Sequence, residues 1–354
     1  MAVSHEFLNP PRSTAPHPAV SQVRGAVRRF LSVHYSGHQS GQDIAVACSG
    51  GADSLALAAA TVHYARRCGV VVHGLVVDHQ LQTGSARVAD TAAAALQGLG
   101  CTVVRVLRAT VDGPGGLEAA ARRARYAALR EAAPPGALVL LGHTLDDQAE
   151  TVLLGLGRGS GPRSVAGMRE LDRPWGRPLL GVRRSVTTAA CTALELDPWA
   201  DPHNADPRFR RVRLRTEVLP LLEDVLASGV AESLARTAAQ LQEDLDVLDG
   251  QAGELLAVAL RSPQGHAGAG TAGAVPGAAV PATVLDIAAL APAPAALRRR
   301  VLRRWLLDSG VAELTDAHLR AADDLIGGWS GQGALRLPGN IELIRVGGML
   351  HVAG

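Results

Sequence analysis

Residues 43–54 read DIAVACSGGADS: an apolar run, two adjacent glycines, then small polar residues leading into ADSLALAAATVHYARR (52–67). Asp43–Cys48 has the composition of a buried strand, and 52–67 that of a helix, with the glycines at the turn between them. Outward from this unit the rhythm repeats. Val70–Asp78 predicts a strand, Ser85–Leu99 a helix, Cys101–Leu107 a strand, Leu117–Arg130 a helix and Ala137–Gly142 a strand, and a further helix runs from Asp146 to Leu156. Continuous apolar strands alternating with helices indicate a parallel sheet covered on both faces, a doubly wound, Rossmann-like α/β domain. Ligands of such sheets collect at the carboxyl ends of the strands, and the double glycine lies at such an end.

Beyond Leu180 the alternation fades, and the expected organisation has five parts. Residues 1–20 are a Pro- and Ser-rich mobile tail, and 21–215 form the α/β domain, opening on a helix from Ser21 to His34. Residues 216–260 are a helical connector, and 261–291 a flexible Gly/Ala/Pro-rich linker. Residues 292–354 form a small α+β domain. It begins with the helix LRRRVLRRWLL (297–307), has a second helix after Thr315, and ends in strands near 335–337, 341–345 and 349–352.

Composition narrows the chemistry. All 35 basic residues are arginine; there is no lysine, and the formal net charge is +2. A Walker A loop, a protein kinase and a Schiff-base enzyme each need a lysine, so these classes are excluded. The four cysteines (48, 68, 101, 191) form no C-x-x-C pair and read as small hydrophobes of a reducing compartment. Prolines in MAVSHEFLNPPRSTAPHP stand where a signal peptide needs an apolar run, and no stretch reaches the ~18 apolar residues of a membrane span. The expectation is a cytoplasmic protein with no membrane partner; a homodimer stays open.

Two constellations carry chemistry. In Ser49-Gly50-Gly51-Ala52-Asp53-Ser54 the glycines allow close backbone approach, and the following amides open a helix N-terminus that favours anions. The serines add hydroxyls, and Asp53 can face a metal ion or a nucleotide. A plain strand–helix turn would not require five particular residues in one register. The second constellation is Gly142-His143-Thr144-Leu145-Asp146-Asp147-Gln148-Ala149-Glu150-Thr151. Asp146 or Asp147 can cap the new helix, and Asp147 and Glu150, three apart, share a face. With His143 they would look into the same crevice, able to bind Mg²⁺, hold an ammonium group or accept protons.

The first constellation resembles the PP-loop of the ATP-pyrophosphatase superfamily, which splits ATP between its α and β phosphates. Within that superfamily the chain resembles the bacterial tRNA(Ile)-lysidine synthetases across about residues 43–225. The matching segments include SGGADSLAL (49–57), VVDHQL (76–81), GLEAAARRARYAAL (116–129), LGHTLDDQAETVLLGLGRGSGPRSVAGM (141–168), RPLL (177–180) and RVRLRTEVLPLL (211–222). The resemblance implies ATP-dependent adenylation of carbon 2 of the wobble cytidine in an isoleucine tRNA with a CAU anticodon. Free L-lysine then displaces AMP, and the anticodon changes its reading from AUG to AUA.

Carried over by position, Ser49, Gly50, Gly51, Ala52, Asp53 and Ser54 would bind ATP. Asp53, His143, Asp147 and Glu150 would be catalytic, with Asp53 and Asp147 facing Mg²⁺. One carboxylate would hold and help deprotonate the lysine ammonium. Arg122, Arg125, Arg158, Arg211, Arg213 and Arg215 are candidate tRNA contacts, and 216–260 and 292–354 would also meet tRNA. The pattern is broken at Thr144 (a second histidine in many relatives), Gln80 (commonly glycine) and Val212 (expected asparagine).

Local charge supports an RNA partner independently. From Arg158 to Arg215 there are twelve arginines against six acidic residues, and arginine pairs with phosphate and stacks on bases. Arg298, Arg299, Arg300, Arg303 and Arg304 beside Trp305 form a second cluster. Three other readings compete. A tRNA-thiolating PP-loop enzyme would need an accessible cysteine pair or an iron–sulfur cluster. A small-molecule synthetase would not need an arginine-rich surface. A catalytically silent RNA-binding protein would not need Asp53, Asp147 and Glu150 together.

Overall fold

The computed structural model describes residues 15–35, 42–80, 84–112, 116–159, 161–201, 206–261 and 284–353. Strands β1 (Ile44–Cys48), β2 (Val72–Asp78), β3 (Val103–Arg108), β4 (Leu138–Leu140), β5 (Leu171–Asp172) and β6 (Trp175–Gly176) form one sheet in the order β3-β2-β1-β4-β6-β5. All neighbours are parallel except β5, which runs against β6. Ile44 pairs with Val72 on one side and Leu138 on the other. The strand order reverses between β1 and β4, so the crevice of this doubly wound sheet opens where β1 and β4 end.

The β1 side chains alternate between two cores. Ile44, Val46 and Cys48 pack with the helices Pro18–His34, Ala52–Cys68 and Ser85–Leu99; Ala45 joins Leu129, Ala132, Val139 and Trp175 on the opposite face. The expected two-sided cover is present. β3 is the exception: Val103 and Val106 are exposed because it is the sheet's edge.

Several expectations need correction. The first helix starts at Pro18, not Ser21, since proline suits a first turn and the His17 ring accepts from the Ala19 N–H at 3.2 Å. Residues 1–14 of the predicted tail lie outside the described residues. β5, β6 and the helix Arg184–Ala193 were not foreseen, because two-residue strands carry no periodicity.

The chain divides into two compact units at about residue 240, not 216; the helix Val230–Ala259 contributes residues to each. Residues 161–163 also count with the second unit. The predicted linker is too long. Leu260–Arg261 is β7, Val284–Asp286 is β8 and Ile287–Leu290 is helical; only 262–283 lies outside the described residues.

The second unit's sheet runs β7-β8-β11-β10-β9, with β9 at Leu335–Leu337, β10 at Ile341–Val346 and β11 at Met349–Ala353. It packs with the helices Ala295–Asp308 and Asp316–Gly327 on Leu285, Leu302, Trp305 and Leu343. Among the described residues no helix is long and apolar enough to cross a membrane.

Candidate active site

The turn after β1 is braced from within. Gly50 takes φ +83°, a conformation that costs glycine least. Ser54 Oγ accepts from the Ser49 N–H (3.2 Å) and donates to the Gly51 carbonyl (2.9 Å), and Cys48 Sγ accepts from the Gly50 N–H (3.4 Å). Cys48, expected to be only a small hydrophobe, is thus part of the turn. The Trp199 N–H fastens the Gly50 carbonyl from outside at 3.0 Å. The helix Ala52–Cys68 begins at Gly51 with no side-chain cap, the kind of helix end that favours anions.

The end of β4 meets this turn directly. A Cβ on Gly142 would stand 3.1 Å from backbone atoms of Asp53 and Ser54. Two residues on, Thr144 opens the helix Leu145–Arg158 as a capping box with Asp147, whose Oδ2 accepts from the Thr144 N–H (2.8 Å) and hydroxyl (2.9 Å). Thr144 is thereby the reason Asp147 points where it does. Asp146 faces another way and accepts from the Arg184 N–H at 2.7 Å, capping the helix Arg184–Ala193.

Arg184 is the centre of the crevice. Its Nε donates to Asp53 (3.1 Å), its Nη2 to Asp147 (2.7 Å), and its Nη1 lies 3.9 Å from Glu150. The Thr187 hydroxyl also donates to Asp53. Glu150 is fully buried; Arg215 holds its Oε1 at 2.8 Å, and Arg211 lies 3.6 Å from an Oε2 that has no hydrogen-bond partner.

Electrostatics separates the three acids. Burial raises the Asp53 carboxyl above its ordinary value, although Arg184 and Thr187 oppose it. Burial likewise raises Glu150 against the pull of Arg215. At Asp147 burial is outweighed by Arg184, the Thr144 N–H and hydroxyl, and His143, so its pKa is lowered. Arg184, flanked by all three carboxylates, is held more firmly protonated than a free guanidinium despite burial.

Beside the acids lies a basic group. Burial, then the charges of Arg125, Arg177 and Arg122, lower His143 to about 3 even though Asp147 opposes them. Burial and Arg125 also lower His79, at the end of β2. Buried nitrogens of His79, Arg125, His143 and Arg177 have no hydrogen-bond partner.

The structure therefore brings together Ser49–Ser54, Asp53, His143, Asp147, Glu150, Arg211 and Arg215, with Arg122 and Arg125 on the His143 side. It sets two residues apart. Arg213 is exposed and paired with Glu217 at 2.8 Å, and Arg158 is exposed at the end of its helix. In the second arginine cluster, Arg298 pairs with Asp323 (2.6 Å), Arg300 lies 3.2 Å from Asp249, and Trp305 is core. Sequence reasoning missed Arg184, Thr187, Arg177 and His79. His79 and Arg177 stand inside the quoted segments 76–81 and 177–180 but were given no role there, and Arg184 and Thr187 lie outside every quoted segment; nothing in the local pattern marks any of them.

The remaining departures have physical readings. Gln80 takes φ +54°, where glycine is the easier residue, and Val212 is a buried apolar contact.

Comparison with known proteins shows the family. Residues 23–222 match the PP-loop domain family and residues 285–351 the TilS substrate binding domain. The tRNA(Ile)-lysidine synthase of Nocardia farcinica is 55% identical over 324 residues, 92% of this chain and 93% of that protein. Those of Rhodococcus opacus (54%; 91% and 90% covered) and Mycobacterium tuberculosis (52%; 90% and 90%) are similarly close. Among solved structures, the U34-tRNA thiolase NcsA from Methanococcus maripaludis with its [4Fe-4S] cluster superposes with a TM-score of 0.52 at 18% identity. It covers 64% of this chain and 80% of that one, a likeness of fold.

Proposed function

This chain belongs to the tRNA(Ile)-lysidine synthase family, and from that membership we propose how its crevice works. The protein is an ATP-dependent ligase that forms a C–N bond on tRNA(Ile), at carbon 2 of the wobble cytidine, through an adenylated tRNA. We assign free L-lysine as the amine, a CAU-anticodon tRNA as its acceptor, and the cytoplasm, where both meet ATP, as the compartment.

The observation that carries the reading is the convergence of the phosphate-binding turn and the two later carboxylates on one guanidinium, that of Arg184. In this reading the uncapped helix at Gly51 and the Ser49 hydroxyl receive the ATP phosphates. Two carboxylates beside a phosphate site suit a divalent cation, which takes one or two such ligands and completes its shell with phosphate and water. Asp53 and Asp147 would hold Mg²⁺, which would neutralise phosphate charge; in the structure Arg184 carries the positive charge between them.

Attack on carbon 2 needs a free amine, so a carboxylate must take a proton from the lysine ammonium. Glu150, with its raised pKa and unpartnered Oε2, suits that role better than Asp147, which is held ionised. His143, neutral at physiological pH, orients rather than donates charge. Arg211 and Arg215 face the acids from the arginine-rich segment and balance Glu150.

Thiolation is less well supported. Cys48, Cys101 and Cys191 are buried, and among the described residues no three His, Cys, Asp or Glu are arranged to hold a metal ion. The test is direct. Purified protein with ATP, Mg²⁺, lysine and CAU-anticodon tRNA(Ile) should yield AMP, pyrophosphate and a tRNA heavier by one lysyl addition. Incorporation of sulfur without lysine would overturn the reading.

A further inference from the structure

Three guanidinium groups close around Asp147 and Glu150. Arg215 reaches Glu150 Oε1 at 2.8 Å and lies 3.8 Å from Asp147, and Arg211 lies 3.6 Å from Glu150 Oε2. Arg184 meets Asp147 at 2.7 Å and lies 3.9 Å from Glu150. The same choice of cation runs through the whole sequence, whose 35 basic residues are all arginine. Charge balance alone does not require it, since a lysine ammonium also neutralises a carboxylate.

The two cations differ in reactivity. A guanidinium stays protonated and its lone pairs are delocalised. Near pH 7.4 roughly one lysine amine in a thousand is neutral and free to attack, against fewer than about one guanidine in a hundred thousand. A carboxylate that takes the proton turns such an amine into a nucleophile. Counted from the backbone, the lysine nitrogen falls where the guanidinium carbon stands, so a lysine at 211 or 215 would carry its amine to Glu150. That is where the free lysine would be deprotonated in the reaction proposed above. A tethered amine in the right geometry acts as if present at about 10⁵ M or more, whereas the substrate must be captured from solution.

We propose that arginine at 184, 211 and 215 is a specificity device: it gives the acids their counter-charge while keeping every side-chain amine of the protein away from the activated tRNA. The inference rests on the tRNA reading above. In the reaction it prevents, a protein amine attacks carbon 2 of the adenylated cytidine. The bond from carbon 2 to the AMP oxygen breaks, its electron pair leaves on AMP, and the amine proton passes to Glu150. The product is a protein joined to tRNA through a C–N bond, an enzyme lost after one turnover.

The experiment compares Arg211→Lys and Arg215→Lys with Arg213→Lys, whose site is exposed beside Glu217. Each is incubated without lysine, either with end-labelled CAU-anticodon tRNA(Ile), ATP and Mg²⁺ or with adenylated tRNA prepared by the wild-type chain. A denaturing protein gel reads covalent label. Arg211→Lys and Arg215→Lys should carry at least about tenfold more label than wild type, with one AMP released per adduct and the tRNA mapped by mass spectrometry to the substituted position. Added free lysine should suppress the adduct, and wild type and Arg213→Lys should stay unlabelled. Thermal melts check that each variant is folded, and the partly exposed Arg211 gives a test independent of tolerance at Arg215. Equal label on Arg213→Lys, or none on folded Arg211→Lys given adenylated tRNA, would overturn the inference. Failure of wild type to make adenylated tRNA or lysidine would bring down the parent reading and the inference with it.

Discussion

Asp53 and Asp147 are clamped by one guanidinium, although one opens the helix after β1 and the other the helix after β4. Arg184 thus stands between two carboxylates that would repel each other in its absence. Removing it leaves buried negative charge uncompensated, a loss that typically costs about 3–5 kcal/mol. Arg184→Met should lower the urea midpoint markedly and abolish pyrophosphate release. Retention of both would mean the clamp is incidental.

Gly142 passes so close to the backbone of Asp53 and Ser54 that a methyl group would stand 3.1 Å from it, tight enough to require a small shift. Backbone cannot yield as a side-chain tip can, so Gly142→Ala should push β4 away from the turn. The expected cost is about 1–3 kcal/mol, with a raised KM for ATP. A calorimetric melt and ATP titration check it.

The arginines of the 211–215 run should not behave alike. Arg215 covers the fully buried Glu150, whereas Arg213 meets Glu217 in open solvent. Arg215→Met should destabilise the fold by about 3 kcal/mol, and adding Glu150→Gln should recover part of that. Arg213→Ala should leave Tm unmoved, since solvent weakens such pairs. Equal losses in the two single variants would contradict this division.

His143 makes the fold sensitive to acid. Its folded pKa is about 3 against an ordinary value near 6.5. Between these values the unfolded chain binds a proton that the folded chain refuses, so stability is full above pH 6.5 and falls as pH drops toward 3. Asp147, lowered in the fold, acts in the same direction; Asp53 and Glu150, raised, act oppositely. His143→Gln should lose less Tm than wild type between pH 7 and 4.5. A steeper loss in the variant would refute the assignment.

The alternation of apolar strands and helices was legible without coordinates, as were the double-glycine turn and the shared face of Asp147 and Glu150, because all three depend on neighbours within a few residues. Even local signals were incomplete: Thr144, noted as a departure from the family pattern, is the cap that aims Asp147. The edge position of β3 and the short pair β5–β6 escaped, since pairing partners and two-residue strands leave no periodic trace.

Arg184 escaped for a deeper reason. It is one of 35 arginines, and only folding brings its side chain between acids 131 and 37 positions away in the chain. Local order along the backbone determined the sheet and the turn that opens toward phosphate. Which charge neutralises which was decided by the packing of β1 against β4, because Coulombic and hydrogen-bond energies depend on distance in space, and sequence separation carries almost no information about that.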